Sequence, residues 1–114
     1  MNERGLQAER WAAQYLQQQG LQLVAQNYRG RFGEIDLIMR DGATLVFVEV
    51  RLRRNADFGG AAASIDAHKQ RRIIRTAQQY LATLGRIPPC RFDALLLGDA
   101  PEQGVQWLKN AFEA

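Results

Sequence analysis

The sequence lacks the features of a secreted or membrane-inserted chain. Its 114 residues include one cysteine, Cys90, which cannot form an internal disulfide, and this suits a reducing cytoplasm. The longest apolar runs, residues 45–48 and 94–97, are far too short to span a bilayer. No apolar stretch follows the opening Met1-Asn2-Glu3-Arg4, so no secretory signal is expected. We therefore expect a cytoplasmic protein that does not bind membranes.

Lysine is scarce, and no segment has the composition of a disordered chain. Hydrophobic residues make up 46% and charged residues 24%, close to globular averages. The length fits one domain, residues 1–114, with a core of its own. The net charge is +3, and 13 of the 15 basic residues are arginines, which suit bidentate phosphate contacts. This composition is compatible with an anionic partner and equally with a solvated basic surface.

Several catalytic motifs are also absent. The chain has no Walker loop, no dinucleotide-binding glycine fingerprint and no nucleophile elbow. Its one histidine, His68, has no histidine or cysteine partner at zinc spacing. Cys90 has no evident base beside it in the sequence, and we interpret it as a small buried hydrophobe. The candidates for a functional site are therefore charged residues at positions where the pattern predicts apolar ones.

Hydrophobic periodicity and turn signals predict a mixed α/β fold. The predicted elements are a helix over 2–19, strands at 21–28, 34–40 and 44–53, a helix from Ser64 or Asp66 to Leu84, strands at 91–97 and 104–108, and a short helical turn at Asn110. Residues 55–63 contain Gly59-Gly60 and are predicted to form a loop. The order α-β-β-β-α-β-β implies a mixed central sheet flanked by helices.

Glu9 is out of place on the first predicted helix. At 100° per residue, one continuous arc is apolar and holds Leu6, Ala8, Trp11, Ala12, Ala13, Tyr15 and Leu16. Glu9 falls inside this arc. A carboxylate that faces a core needs a cation, a metal or a proton to offset its desolvation. An ion pair with an arginine at the helix edge explains the position equally well.

The hairpin brings carboxylates together in either of two registers. A two-residue turn at Asp41-Gly42 pairs Glu34 with Glu49, whereas a four-residue loop sets Asp36 directly opposite Glu49. Both registers place Glu34, Asp36, Glu49 and Arg51 on one face of the sheet. Opposed carboxylates destabilise a sheet unless positive charge lies between them.

Two interpretations of this cluster stay open. Oxygen-rich clusters suit Mg²⁺ or Mn²⁺, which bind a few carboxylates together with water and phosphate oxygens. The alternative is an exposed sheet face on which Arg29, Arg51 and Arg53 form cross-strand salt bridges. Spacing favours the metal site only slightly.

The second predicted helix has a basic outer face. His68, Arg71, Arg72 and Arg75 lie on that face, Lys69 lies at its edge, and Gln70 falls within the apolar stripe. Such a face is usually solvated, and phosphate contact is the less common explanation. Our candidates for phosphate contacts are Arg53, Arg54, Lys69 and Arg72, and Glu34 and Gln70 are the candidate supporting residues.

The chain resembles a known family along almost its whole length. Two motifs carry the resemblance, Gly33-Glu34-Ile35-Asp36-Leu37-Ile38 and Val46-Phe47-Val48-Glu49-Val50-Arg51. Shorter matches are Gly5-x-x-Ala8-Glu9, Asn27-Tyr28-Arg29, Lys69, Arg91-Phe92-Asp93 and Asn110-Ala111-Phe112. These residues resemble the YraN-type family of uncharacterised bacterial proteins. That family is similar to archaeal Holliday-junction resolvases and to the PD-(D/E)XK nuclease superfamily.

The resemblance implies a fold and a site. The fold is a restriction-endonuclease-like αβββαβ core. Asp36 and Glu49 would hold Mg²⁺ or Mn²⁺ with help from the Val50 carbonyl, and Glu9 would be the carboxylate contributed by the first helix. Such a site would hydrolyse phosphodiesters in branched or flapped DNA by metal-assisted attack of water. Related resolvases are two-fold dimers, so the resemblance also implies a homodimer.

Arg51 departs from the superfamily pattern. It occupies the position of the usual catalytic lysine, and an arginine binds phosphate well but does not give up its proton to act as a base. Lys69 is a candidate replacement from the second helix. Three functions follow: a weak metal-dependent endonuclease that uses Glu9, Asp36, Glu49 and Arg51, a catalytically silent nucleic-acid-binding module, and a protein-interaction adaptor. Retention of three carboxylates favours the first, and Arg51 favours the second.

Overall fold

The computed structural model describes residues 3–52, 65–98 and 104–114. The elements are α1 (Glu3–Gln18), β1 (Gln22–Arg29), β2 (Glu34–Asp41), β3 (Thr44–Leu52), α2 (Ala67–Ala82), β4 (Cys90–Leu97) and β5 (Val105–Phe112). This order confirms the predicted α-β-β-β-α-β-β arrangement. Three features lie outside the described residues: Asn2, where the first helix is predicted to begin, the candidates Arg53 and Arg54, and the predicted loop at 55–63.

The five strands form one mixed sheet in the order β1-β2-β3-β4-β5. All neighbouring strands are antiparallel except β3 and β4, which are parallel. A parallel pair needs a crossover connection, and α2 lies in this one. The two helices cover opposite faces: α1 packs on the core that contains Leu37 and Val48, and α2 packs on the core that contains Phe47 and Ala94. The predicted mixed sheet flanked by helices is therefore confirmed.

Local sequence signals set the ends of the helices. Gly20, the second residue after the end of α1, has φ 102°, a conformation that glycine adopts at helix ends with little strain. Asp66 is the N-cap of α2, and its carboxylate accepts a hydrogen bond from the Lys69 backbone N–H at 2.8 Å. Neither helix is long and apolar enough to cross a membrane, in the part of the chain that the structure describes.

Two local predictions are wrong. Asn110 lies within β5, which continues to Phe112, and not in a helical turn. Its φ of 55° and a bulge in the pairing with β4 let its backbone N–H donate to Asp93 Oδ1 at 3.0 Å. Cys90 is exposed and not buried, because it is the first residue of β4 and precedes the strand's buried part.

The pairing of the hairpin strands ends at Leu37 and Val48, one residue short of Asp36 and Glu49. Residue pairs run from Asp41–Thr44 to Leu37–Val48, so the turn is formed by residues 42 and 43 rather than by Asp41-Gly42. Gly42 has φ 61°, which favours glycine at this position of the turn. Of the two registers open from the sequence, the structure therefore adopts the one that continues to Asp36 opposite Glu49.

The sheet is irregular beside Asp36. Residues three apart in a regular strand point to opposite faces, yet Ile35 and Ile38 belong to the same core. On the neighbouring strand, Asn27 has φ 53°, a left-handed conformation that is uncommon outside glycine. Both departures occur at the same level of the sheet. The irregularity marks the end of the sheet where the charged residues gather.

Candidate functional site

A cleft of about 340 Å³ lies where β2 begins and β3 ends. It is lined by Gly5, Ala8, Glu9, Asp36, Glu49, Val50, Arg51 and Leu52. Helix α1 contributes Glu9, β2 contributes Asp36, and β3 contributes Glu49 and Arg51. The structure thus brings together the four residues that the sequence analysis assigned to catalysis.

Asp36 is the centre of the cluster. Its Oδ2 accepts a hydrogen bond from the Val50 backbone N–H at 2.9 Å, which ties the start of β2 to the end of β3. Its carboxyl group also shares hydrogen bonds with the side chains of Glu9 and Glu49. Burial raises the pKa of Asp36, and the bond from Val50 opposes this shift by favouring the charged form.

Glu9 is buried with one oxygen unsatisfied. The residue is 6% exposed, and its Oε1 has no hydrogen-bond partner in the described part of the chain. Burial, followed by the nearby charge of Asp36, raises the pKa of Glu9 to about 7. The apolar arc of α1 therefore does turn this carboxylate inward, as the periodicity predicts.

Glu49 is equally buried but has two cations beside it. Burial and then the charge of Asp36 raise its pKa to about 8, against the opposing effects of Lys69 and Arg51. Lys69 Nζ and Arg51 Nε each lie 3.8 Å from Glu49 Oε1. At that distance they attract the carboxylate without a close hydrogen bond, and Arg51 Nε is itself buried without a partner among the described residues.

Glu34, a candidate supporting residue, lies within the carboxylate cluster itself. Carboxylate oxygens of Glu9, Glu34 and Asp36 lie within 4.8 Å of one another, close enough to share one cation. Glu34 Oε2 also accepts a hydrogen bond from Arg29 Nε at 3.2 Å. The resemblance implies a different ligand set, formed by Asp36, Glu49 and Val50. Asp36 is the residue that belongs to both sets.

Lys69 enters the site from the opposite face of the sheet. It belongs to α2, whose N-terminal turn is fixed by the Asp66 cap, and its Nζ lies 3.8 Å from Glu49 Oε1. Lys69 is a candidate both for a phosphate contact and for the replacement of the missing lysine. Its distance to Glu49 places its charge at the carboxylate cluster.

Two further candidates that the structure describes, Gln70 and Arg72, do not join the cluster. The Gln70 side chain donates to the Ile65 carbonyl at 2.9 Å, so it holds the segment before α2. Arg72 Nε donates to the Phe32 carbonyl at 3.0 Å, on the turn between β1 and β2. Gln70 therefore has a structural contact, and Arg72 lies on a neighbouring surface.

Asn27 belongs to the site, although the sequence patterns assign it no role. Its side chain hydrogen-bonds Glu9 and favours the charged form, while its own Oδ1 is buried without a partner among the described residues. The available signals were an asparagine inside a predicted strand, which is disfavoured there, and its place in the Asn27-Tyr28-Arg29 motif. Neither signal indicates contact with Glu9, because that contact joins α1 to β1.

Comparison with known proteins identifies relatives of the whole chain. A family model described as "Uncharacterised protein family UPF0102" matches residues 8–97. A UPF0102 protein of Psychromonas ingrahamii is 56% identical over 112 residues, which cover 98% of this chain and 91% of that protein. A UPF0102 protein of Methylobacillus flagellatus is 54% identical over 114 residues and the full length of both chains. One from Nitrosomonas europaea is 57% identical over 110 residues, or 96% and 93% of the two chains.

Proposed function

The chain belongs to the uncharacterised protein family UPF0102, and we propose that it hydrolyses phosphodiester bonds in DNA with the help of Mg²⁺ or Mn²⁺. The observation that carries the proposal is the cluster of two buried carboxylates, Glu9 and Glu49, and the half-buried Asp36. Lys69 lies beside this cluster. The resemblance of the chain to PD-(D/E)XK nucleases supports the same activity. We also propose that the fold is a restriction-endonuclease-like core and that the protein forms a homodimer.

The residues present fit a divalent cation. Carboxylates supply the hard oxygen ligands that Mg²⁺ and Mn²⁺ prefer. Glu9 Oε1 is an acceptor that burial has removed from water and that no described donor satisfies, so it lacks the partner that a buried charge requires. Glu9, Asp36 and either Glu34 or Glu49 would be the ligands. Once bound, such a cation activates water and neutralises charge that develops on phosphate oxygens.

The chain's own residues perform the other tasks. Asp36, fixed by the Val50 N–H, orients the two neighbouring glutamates. Lys69 and Arg51 supply positive charge for the non-bridging oxygens of the phosphate, where negative charge increases in the transition state. Water attacks phosphorus, the P–O bond to one sugar breaks, and the products are a phosphate monoester and a free hydroxyl group.

A catalytically silent nucleic-acid-binding module is the second candidate. The observation that favours it is Arg51, which lies 3.8 Å from Glu49 where the resemblance expects a lysine. The planar guanidinium group suits two parallel bonds to a phosphate and therefore favours binding over turnover. The adaptor hypothesis has less support, because a chain that only binds protein has no use for a cluster of two buried carboxylates and one half-buried carboxylate.

Thermal unfolding with added MnCl₂ tests the metal site. A ligand that binds only the folded state raises the melting temperature, so we expect an increase for the wild type and none for Asp36→Asn. Glu113→Gln is the matched control, because Glu113 is exposed at the far end of the chain, and it should respond like the wild type. An equal response in the wild type and Asp36→Asn would remove the metal site.

Nicking of supercoiled plasmid with MnCl₂ tests the activity. We expect slow nicking by the wild type, none by Glu49→Gln, and wild-type nicking by Glu113→Gln. If the wild type binds DNA and Mn²⁺ but does not nick, the silent-module hypothesis replaces the nuclease. If the wild-type protein binds no DNA at low salt, the result favours the adaptor hypothesis over the other two.

A further inference from the structure

A basic groove lies next to the carboxylate cluster, between the β1–β2 turn and the outer face of α2. We propose that this basic groove, formed by Arg31, Phe32, Lys69, Arg71, Arg72 and Arg75, binds an unpaired DNA strand and stacks one of its bases on Phe32. The inference rests on the proposed function and specifies its substrate as DNA with a single-stranded segment at the cleavage site.

The turn that carries Phe32 is fixed to α2 by two hydrogen bonds. The Arg31 backbone N–H donates to Gln79 Oε1 at 2.9 Å, and Arg72 Nε donates to the Phe32 carbonyl at 3.0 Å. Gly30 permits this approach, because a Cβ added there would lie 2.4 Å from Gln79 Oε1. The turn is thus held in place before any ligand arrives, which lowers the entropy cost of binding.

Phe32 is an exposed aromatic ring surrounded by cations. The residue is 43% exposed, and the Arg75 guanidinium carbon lies 5.6 Å from the centre of its ring. Single-stranded nucleic-acid sites combine cations that follow the phosphates with aromatic rings on which bases stack. A ring buried in the core would serve packing alone, but this one is accessible within the groove.

The groove holds more positive charge than its own carboxylates neutralise. Among the described residues that line it, Glu34 is the one carboxylate, and it pairs with Arg29 at 3.2 Å. Arg72 donates to the Phe32 carbonyl through its Nε, the one hydrogen bond that its side chain donates among the described residues. Anionic phosphates complement this surface, and because the strand's negative charge repeats along its length, several arginines can each contact one phosphate.

The groove leads to the proposed catalytic residues. Lys69 lines it and also lies 3.8 Å from Glu49 Oε1, while Glu34 joins it to the Glu9–Asp36 triad. A strand whose base stacks on Phe32 would therefore have its backbone directed toward the carboxylates. A base inside a duplex is already stacked between neighbours and does not offer its face, so the exposed ring favours an unpaired strand.

Equilibrium binding in EDTA measures the groove separately from cleavage. The probes are a fluorescein-labelled thymidine 20-mer, an abasic strand of the same length and a blunt 20-base-pair duplex. We expect the thymidine strand to bind the wild type most tightly. Phe32→Ala should weaken that binding about 5- to 100-fold, the range that stacking contributes, and should leave the abasic strand's affinity unchanged. Phe32→Trp should restore the loss.

Matched controls separate the groove from general charge. Arg72→Ala and Arg31→Ala should each lower the slope of affinity against salt by about one unit, whereas Arg86→Ala, an exposed arginine outside the groove, should not. Ile87→Ala removes a hydrophobe that is 84% exposed elsewhere and controls for Phe32→Ala. Circular dichroism verifies that each variant is folded.

Three results would overturn the proposal. They are equal affinity for the thymidine and abasic strands, tighter binding of the duplex, and displacement of the strand by polyglutamate at the same charge concentration. None of these results depends on the metal site. The increase in melting temperature with Mn²⁺ tests that site independently in the same protein. A protein with a normal Mn²⁺ shift and no base dependence would keep the nuclease proposal and lose the base-stacking groove.

Discussion

Two buried carboxylates in this molecule have opposite surroundings. Asp93 on β4 is fully buried, and donors satisfy it: Arg91 Nε at 3.1 and 3.2 Å, Trp107 Nε1 at 3.0 Å and the Asn110 backbone N–H at 3.0 Å. Glu9 on α1 is 6% exposed, leaves Oε1 without a described partner, and lies beside Asp36.

The difference separates a structural carboxylate from a binding one. Folding compensates the charge of Asp93 completely, so this residue fixes the position of β5 against β4. Folding buries Glu9 and compensates its charge only in part, through the Asn27 side chain. Burial and the nearby charge of Asp36 raise its pKa to about 7 and make the folded protein less stable than it could be. Such a cost is typical of functional sites, where the missing partner is a ligand.

The largest expected effect comes from removing the structural charge. Asp93→Asn should lower the free energy of unfolding by about 3 kcal/mol, because Arg91 and the Trp107 indole N–H lose a buried, charged acceptor. Arg91 keeps Asp41 as a second counter-ion at 2.9 Å. The corresponding change Glu9→Gln should leave the metal-free protein as stable or more stable at pH 8. Urea denaturation in EDTA measures both. Similar destabilisation by the two amides would contradict the distinction.

The next largest effect concerns the cation from α2. Lys69→Ala should reduce Mn²⁺-dependent nicking about a hundredfold, because one preorganised positive charge at the transition state is lost. The control is Lys109→Ala, which removes the other lysine of the chain, a residue that lies 4.5 Å from the centre of the Trp107 ring. Equal nicking by Lys69→Ala and Lys109→Ala would exclude Lys69 from catalysis.

Stability against pH should also distinguish the two regions. The folded pKa values of Glu9 and Glu49, about 7 and about 8, exceed their ordinary value of 4.5. The folded state therefore binds more protons than the unfolded state in this window, and the metal-free protein loses stability as pH rises from about 4.5 to 8. Relative to the wild type, Glu49→Gln should gain at least about 1.4 kcal/mol over that window, the value of one pKa unit.

Urea denaturation of both proteins at half-unit pH intervals in EDTA gives this difference directly. Mn²⁺ affinity should rise over the same window, because the carboxylates must lose their protons before they bind a cation. A difference between wild type and variant that stays flat with pH would show that Glu49 is ionised at its ordinary pKa and would weaken the case for a buried cluster.

The smallest effect expected is a gain of several-fold in nicking for Arg51→Lys. A compact ammonium group can approach both water and phosphate, whereas the guanidinium fork favours a bidentate hold on the phosphate. DNA binding should weaken slightly in the same variant. Robust wild-type nicking that requires Glu49 and disappears in Arg51→Lys would instead make Arg51 a catalytic residue.

Periodicity predicted most of the fold, and local patterns also located the acidic residues. Glu9 was identifiable because it breaks the apolar arc of α1, and Asp36 and Glu49 because they break the apolar pattern of a hairpin. The end of β5 was wrongly predicted because Asn110 suggests a turn in isolation. Its extended neighbours are stabilised by the backbone bond to Asp93, which lies 17 positions away in the sequence.

The sequence by itself determined the order of the elements, the two core faces and the inward position of Glu9, because these follow from 3.6- and 2-residue periodicities within single segments. Tertiary structure decided the hairpin register, the contact of Asn27 with Glu9 and the approach of Lys69 to Glu49. It also decided that Phe32 would be fixed beside α2. Each of these joins separate elements, and the geometry depends on how helices pack across a sheet, which no local pattern specifies.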